Sequence, residues 1–196
     1  MADKQILILG LGGSLSDHSA SLAALQLALD AAEAAGATTT LFDINALNLP
    51  MYSPRLAEPP LAAVQLADAT HAAHGLIWSS PLYHGTVSGS FKNALDWLQL
   101  LSSREPPYLT DKVVGLMSSA GGVQGLQAVN TMEFIVRALR GWAVPMVVPI
   151  PQAYRSFDDE GKLTDARVGD QLKDLGREVV RAARQFAYEG RCDYAE

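Results

Sequence analysis

Four short apolar runs, QILILGL, TTTLFDI, GLIWSS and KVVGLMS, each lead into a loop and then into a segment with helical spacing. That alternation constrains the chain more than any other feature, because it describes strand–helix–strand units and therefore a parallel sheet. A fifth run, VPMVVPI, follows the helix-like LQAVNTMEFIVRALR, and its prolines suit strand ends or an edge. The runs are mostly continuous rather than alternating, as expected of strands covered by helices on both faces. The expectation is an α/β fold of three layers: a flavodoxin-like, doubly wound, five-stranded parallel sheet in the order 2-1-3-4-5.

A last helix is predicted from Val168, Leu172, Leu175, Val179, Ala183 and Phe186, with Thr164 as N-cap and Asp165 in the first turn. The polar stretch QAYRSFDDEGKLTD before it carries a turn signal at DDEG and reads as an excursion over a neighbour. No repeat or linker interrupts the 196 residues, and 48% hydrophobic content suffices for one core, so residues 1–196 are read as a single domain. The net charge of −6 and the lack of a basic run argue against nucleic acid or an anionic membrane as partner. The one cysteine, Cys192, cannot form an intrachain disulfide, and the N-terminal apolar run ILILGLGG is too short to span a bilayer. A cytoplasmic location is expected.

In a parallel sheet the strand-to-helix loops all emerge at the carboxyl edge, where ligands bind. The first, GLGGSLSDHSAS, combines glycines, serine hydroxyls and the start of a helix near Ser19, which suits an anion; a plain turn is the alternative. It is not a dinucleotide fingerprint: Leu15 stands where the third glycine belongs, and the acidic Asp43 lies about ten residues too far along. In the second loop Pro81 stiffens the exit, Tyr83 offers a flat face, and Gly85, Thr86, Ser88 and Gly89 leave backbone exposed, as a flat heteroaromatic ring requires. The third, SSAGGVQG from Ser118 to Gly125, approaches the same ring with backbone donors.

Pro81-x-Tyr83 followed by Gly89, Lys92, Asn93, Asp96 and Trp97 resembles the Pro-Glu-Tyr-Asn and Gly-x-x-Lys-Asn-x-x-Asp-Trp pattern of the NADPH-dependent FMN reductases, relatives of quinone, azo-dye and chromate reductases. The resemblance runs from the first loop to the FDDEGKLTD segment. It implies FMN as cofactor and NAD(P)H as co-substrate, with the phosphate on Gly13, Ser14, Ser16, Ser19 and Ser21. The ring would then lie on Pro81, Leu82, Tyr83, His84, Gly85 and Thr86 and on Ser118, Ala120, Gly121 and Gly122. Hydride would then pass to the flavin and electrons go on to a small acceptor such as a quinone, free flavin, azo compound or metal oxyanion, with no essential side-chain acid or nucleophile expected. Backbone N–H groups around Ala120 to Gly122 would stabilise charge on the reduced ring. The alternatives are a flavodoxin-like electron carrier or redox sensor, and a domain that binds another nucleotide. The chain departs from the pattern where serines replace the first loop's arginine and asparagine, with Asp17 placed to repel an anion and His18 as an auxiliary donor. Leu82 and His84 likewise replace glutamate and asparagine.

His18, His71, His74 and His84 show no metal-ligand spacing, and no Gly-x-Ser-x-Gly nucleophile elbow is present. Lys92 and Asp96 read as a helix-face pair. Arg104 and Arg155 are the candidate cations for an NADPH 2′-phosphate. Phe91, Ala94, Leu95, Trp97, Leu98 and Leu101 span an arc of about 160°, wider than one sheet contact needs. A homodimer or homotetramer would cover the excess, and the resemblance implies the same; a neighbouring helix of the same chain is the alternative cover.

Overall fold

Strand β1 (Ile6–Gly12) lies between β2 (Ala37–Asp43), parallel on one side, and the central strand β3 (Gly75–Tyr83), parallel on the other. A two-residue strand β4 (Thr86–Val87) pairs antiparallel with the end of β3. Beyond β3 lie β5 (Val113–Ser119) and β6 (Trp142–Ile150), both parallel, giving the order β2-β1-β3-β5-β6. Without the short β4, this is the expected order of five long strands. The computed structural model describes residues 5–16, 18–56, 58–158 and 160–188. Cys192 and Asp17 lie outside the described residues.

Helices cover both faces because successive β1 side chains point to opposite sides. Ile6 and Ile8 meet α1 (Ala20–Ala34) and α6 (Ala166–Tyr188), while Leu9 and Leu11 join the core under α3 (Leu61–Ala72), α4 (Gly89–Trp97) and α5 (Gly125–Ala138). A single turn, α2 (Ile44–Leu47), follows β2. Helices α1 and α6 touch backbone to backbone: a Cβ on Gly176 would stand 2.1 Å from the carbonyl oxygen of Ala28. No described helix is long and apolar enough to cross a membrane, and no described cluster of His, Cys, Asp or Glu is placed to hold a metal ion.

Several local expectations change. Asp165, not Thr164, caps α6: its carboxylate accepts from the N–H groups of Arg167 (2.9 Å) and Val168 (3.3 Å), while the Thr164 hydroxyl donates to Arg155 O. Phe157, in the polar excursion before α6, bridges to Leu163 and is buried against the α1–α6 core, which anchors the excursion. The wide apolar arc of α4 is also covered within one chain. Trp97 is 2% exposed, lies edge-on to Tyr52 at 5.3 Å and donates through Nε1 to Pro50 O at 2.9 Å. Leu101 is fully buried. The cover is thus largely an irregular segment after α2, and the arc no longer argues for a subunit contact.

Candidate cofactor site

The sheet register brings the three loops to one edge: Gly12 at the end of β1 lies beside Ser79 and Ser119 at the end of β5 beside Pro81, so the first and third loops leave within two residues of one level on either side of β3, which runs on into the hairpin. Gly12 has to be glycine because a Cβ there would fall 2.4 Å from the Ser79 carbonyl oxygen. Gly13 follows at φ +104°, which turns the chain toward α1.

In the first loop, Ser14 Oγ accepts from Ser16 N (3.3 Å), and Ser19 caps α1 by accepting from Leu22 N (3.2 Å). Each hydroxyl keeps its own proton to donate. Helix geometry leaves the N–H groups of Ala20 and Ser21 without intrahelical partners, so the end of α1 is a donor-rich, electropositive place. Ser21 does not join that surface: it is 1% exposed and its hydroxyl lies 2.6 Å from that of Ser119. His18 is exposed. The Asp43 carboxylate borders the loop, with Oδ1 2.8 Å from where a Gly13 Cβ would stand, and caps α2 by accepting from Asn45 N.

The second loop is a β-hairpin. Leu82 pairs with Val87 and Tyr83 with Thr86, leaving His84 (φ 49°) and Gly85 (φ 85°) as the two turn residues. Two consecutive positive φ values match the twist of flanking strands, which is why such turns favour Asn-Gly; here histidine takes the first position. The hairpin leans on α5, with Thr86 Oγ1 3.2 Å from Thr131 Oγ1. Tyr83 is left 54% exposed, so a ring face is available. Pro81 is buried and Leu82 half-buried, so they support the hairpin from beneath.

The third loop is held mainly by its backbone. Ala120 N donates to Ile150 O (3.0 Å), Ala120 O accepts from Ala153 N, and Gly122 O accepts from Gln152 N. The Ala120 N–H is therefore committed to β6 and cannot serve a ligand. Ser118 is also withdrawn: fully buried, it donates to Gly125 O at 2.6 Å and fixes the start of α5. Gly121 and Gly122 are exposed, and a Cβ on Gly121 would meet nothing within 4 Å. The open positions are thus Ser16, Ser19, Tyr83, His84, Gly85, Gly121 and Gly122, with Ser14, only 8% exposed, at their margin and Ser21, Pro81, Ser118 and Ala120 behind them.

Sequence reasoning did not find the function of Asn93. Its Oδ1 accepts from Tyr52 N (2.8 Å), and its Nδ2 donates to Pro50 O (3.0 Å) and Leu49 O (3.3 Å), so Asn93 and Trp97 together staple residues 49–52 onto α4. Lys92 and Asp96 form an exposed pair at 2.6 Å, as expected. A cavity of about 290 Å³ lies between the stapled segment and the first loop, lined by Leu15, Ile44, Asn48, Met51, Ser90 and Ala94 among others. The other overlooked residues, Ser79, Ser80 and Ser119, lie beneath the loops. Their signal was visible as paired serines ending two apolar strands, Ser79-Ser80 and Ser118-Ser119. Arg104 pairs with Asp68 near the far ends of α3 and α4, away from this edge. Arg155 is exposed beside Tyr154, close to the third loop's anchor at Ala153.

The profile of the NADPH-dependent FMN reductases matches residues 6–155. The NADPH-dependent FMN reductase ArsH of Acidithiobacillus ferrooxidans is 33% identical over 146 residues, which are 74% of this chain but 60% of that protein. The NADPH azoreductase of Bacillus sp. is 30% identical over 148 residues, 74% of this chain and 75% of that one. The fold matches FerB, a flavoenzyme NAD(P)H:(acceptor) oxidoreductase from Paracoccus denitrificans, with a TM-score of 0.74 over 92% of this chain and 98% of that chain, at 18% identity. A profile covering most of the chain, on a fold that gathers three glycine- and serine-rich loops at one edge, places this protein in the NADPH-dependent FMN reductase family.

Proposed function

We propose that this protein binds FMN across the three loops and uses it to pass electrons from NAD(P)H to a small acceptor of the quinone, free-flavin, azo-compound or metal-oxyanion class. The observation that carries this reading is the division of labour at the carboxyl edge: a helix end rich in N–H and hydroxyl donors at α1, and the exposed Tyr83 face and open Gly121-Gly122 backbone on the second and third loops. The residues fit the group. Ser14 and Ser19 each have a hydroxyl proton to give, the first turn of α1 adds N–H donors, and the open space above Gly121 admits a ring where a side chain would intrude. When bound, FMN supplies the two-electron chemistry that no side chain here can.

The chain's own residues position and polarise. Tyr83 presents an aromatic face, and the His84-Gly85 turn holds it rigidly because β4 pairs back onto β3. The exposed N–H groups of Gly121 and Gly122 take the role of charge stabilisation that Ala120 cannot share. Arg155 is the remaining candidate for the NADPH 2′-phosphate, since no carboxylate pairs with it among the described residues. No residue acts as acid or nucleophile. A homodimer or homotetramer belongs to the same proposal, now supported by exposed apolar side chains at the third loop and along α5, Val123, Leu126 and Phe134, rather than by Trp97. A cytoplasmic setting, where NAD(P)H is available, goes with it.

The test is anaerobic addition of NADPH to flavin-loaded protein. Loss of the oxidised-flavin band near about 450 nm, and its return on adding a quinone, is expected. A band that persists for many minutes in excess NADPH would identify an electron carrier instead.

A further inference from the structure

Beneath the three loops, on apolar strands and the first turn of α1, lies a set of buried serines. Ser21 on α1 and Ser119 at the end of β5 are 98 positions apart in sequence, 1% and 7% exposed, and their hydroxyl oxygens are 2.6 Å apart. Ser79 on β3 completes the set: its hydroxyl donates to Ser21 O at 2.8 Å, and its own carbonyl accepts from Gly13 N at 3.3 Å. Burying hydroxyls costs free energy that alanine would avoid, and the cost is offset only by the bonds they make to one another.

We infer that the Ser21–Ser119 contact is a positioning device that couples the first loop to the third, so that phosphate held at α1 and ring held at Gly121-Gly122 each strengthen the other's binding. The inference rests on the assignment of phosphate to the first loop and ring to the third. Its physical basis is the way the third loop is tied. On one side Ala120 and Gly122 are fastened to the chain at Ile150, Gln152 and Ala153. Toward α1, the described side-chain tie is Ser119 to Ser21. Ser21 sits in the first turn of α1, next to the N–H groups that face an anion, so a ligand that orders this turn also orders Ser119 and the loop beginning at Ala120. Linkage makes the effect reciprocal.

The contact is read out by the ratio of riboflavin to FMN dissociation constants, because the two flavins differ only in the phosphate. Full-length Ser119→Ala is titrated with each flavin by fluorescence, beside Ser21→Ala, the double variant and Ser119→Thr, with thermal unfolding of the flavin-free proteins alongside. Ser119 is not among the phosphate residues, yet its loss is expected to reduce the advantage of FMN over riboflavin by about fivefold or more, the lower end of measured couplings between sites. Ser21→Ala should do the same, the double variant should add nothing further, and Ser119→Thr, which keeps the hydroxyl, should restore the ratio. A merely structural role would weaken both flavins equally and leave the ratio unchanged, which would overturn the inference. Should Ser119→Ala fail to fold, Ser21→Ala decides from the other end. Ser16→Asp separates this failure from failure of the underlying assignment. If it weakens FMN alone while Ser119→Ala leaves the ratio intact, the phosphate is where it was placed and the coupling is absent; if it weakens both equally, the assignment and the inference fall together.

Discussion

Replacing Asn93 by alanine tests whether the Lys-Asn-x-x-Asp-Trp stretch recognises the cofactor or builds the fold. Asn93 is 7% exposed, and its amide makes three hydrogen bonds to residues 49–52. The losses are unequal. Pro50 O keeps its bond from Trp97 Nε1, and the 3.3 Å bond to Leu49 O is the weakest, but the Tyr52 N–H loses its only described acceptor. An orphaned buried N–H costs about 1–3 kcal/mol and each lost neutral bond about 1 kcal/mol, so the variant should be destabilised by about 2–4 kcal/mol. For a chain of this size that lowers Tm by about 5–15 °C. None of the three loops contains Asn93, so FMN affinity of the protein that remains folded at 20 °C or so should change by no more than about threefold. Thermal unfolding by circular dichroism and a flavin titration on the same preparation measure the two quantities. A tenfold or greater loss of FMN affinity with Tm unmoved would refute the reasoning and return Asn93 to the site.

Two further variants address the loops directly. Gly121→Val should leave Tm nearly unchanged, since a Cβ there meets nothing and φ does not lie in the left-handed region, yet lower flavin affinity by about tenfold or more because the valine occupies the ring's space; undiminished flavin content in the purified variant would remove the third loop from the site. Asp43→Asn should keep the α2 cap, since asparagine caps as well as aspartate, while removing a negative charge beside the first loop. FMN should then bind about two- to fivefold more tightly at low salt, less so at high salt, with riboflavin unaffected, and equal tightening for both flavins would contradict the electrostatic account.

What the sequence made legible, and what it did not, divides along a physical line. Strands covered on both faces must be continuously apolar, so β1, β3 and β5 announced themselves, and the order of the sheet followed from strand–helix alternation. Helical spacing showed how much of α4 had to be buried but not by what: the cover comes from Leu49 to Tyr52, about 40 positions upstream, in a segment with no period of its own. The α6 cap was missed by one residue because Thr164 and Asp165 are both capable caps, and only the path of the preceding turn decides that the carboxylate reaches Arg167 N. The hairpin was hidden by a histidine in a turn position that usually declares itself with asparagine.

Serine poses the same difficulty in its sharpest form at the cofactor site. Ser16, Ser19 and Ser21 look alike in the first loop, and each has a hydroxyl suited to an anion. One is exposed, one divides its oxygen between a helix N–H and the edge, and one faces inward to Ser119. The difference arises from helical geometry: once Ser19 becomes the cap, the side chain two positions on is carried around the helix by about 200° and turned toward the sheet. There it meets a hydroxyl from a strand that cannot be aligned with it until the whole sheet has formed. A loop rich in serine thus states the chemistry of its ligand locally, but which serines bind that ligand and which join the loops together is decided by tertiary packing.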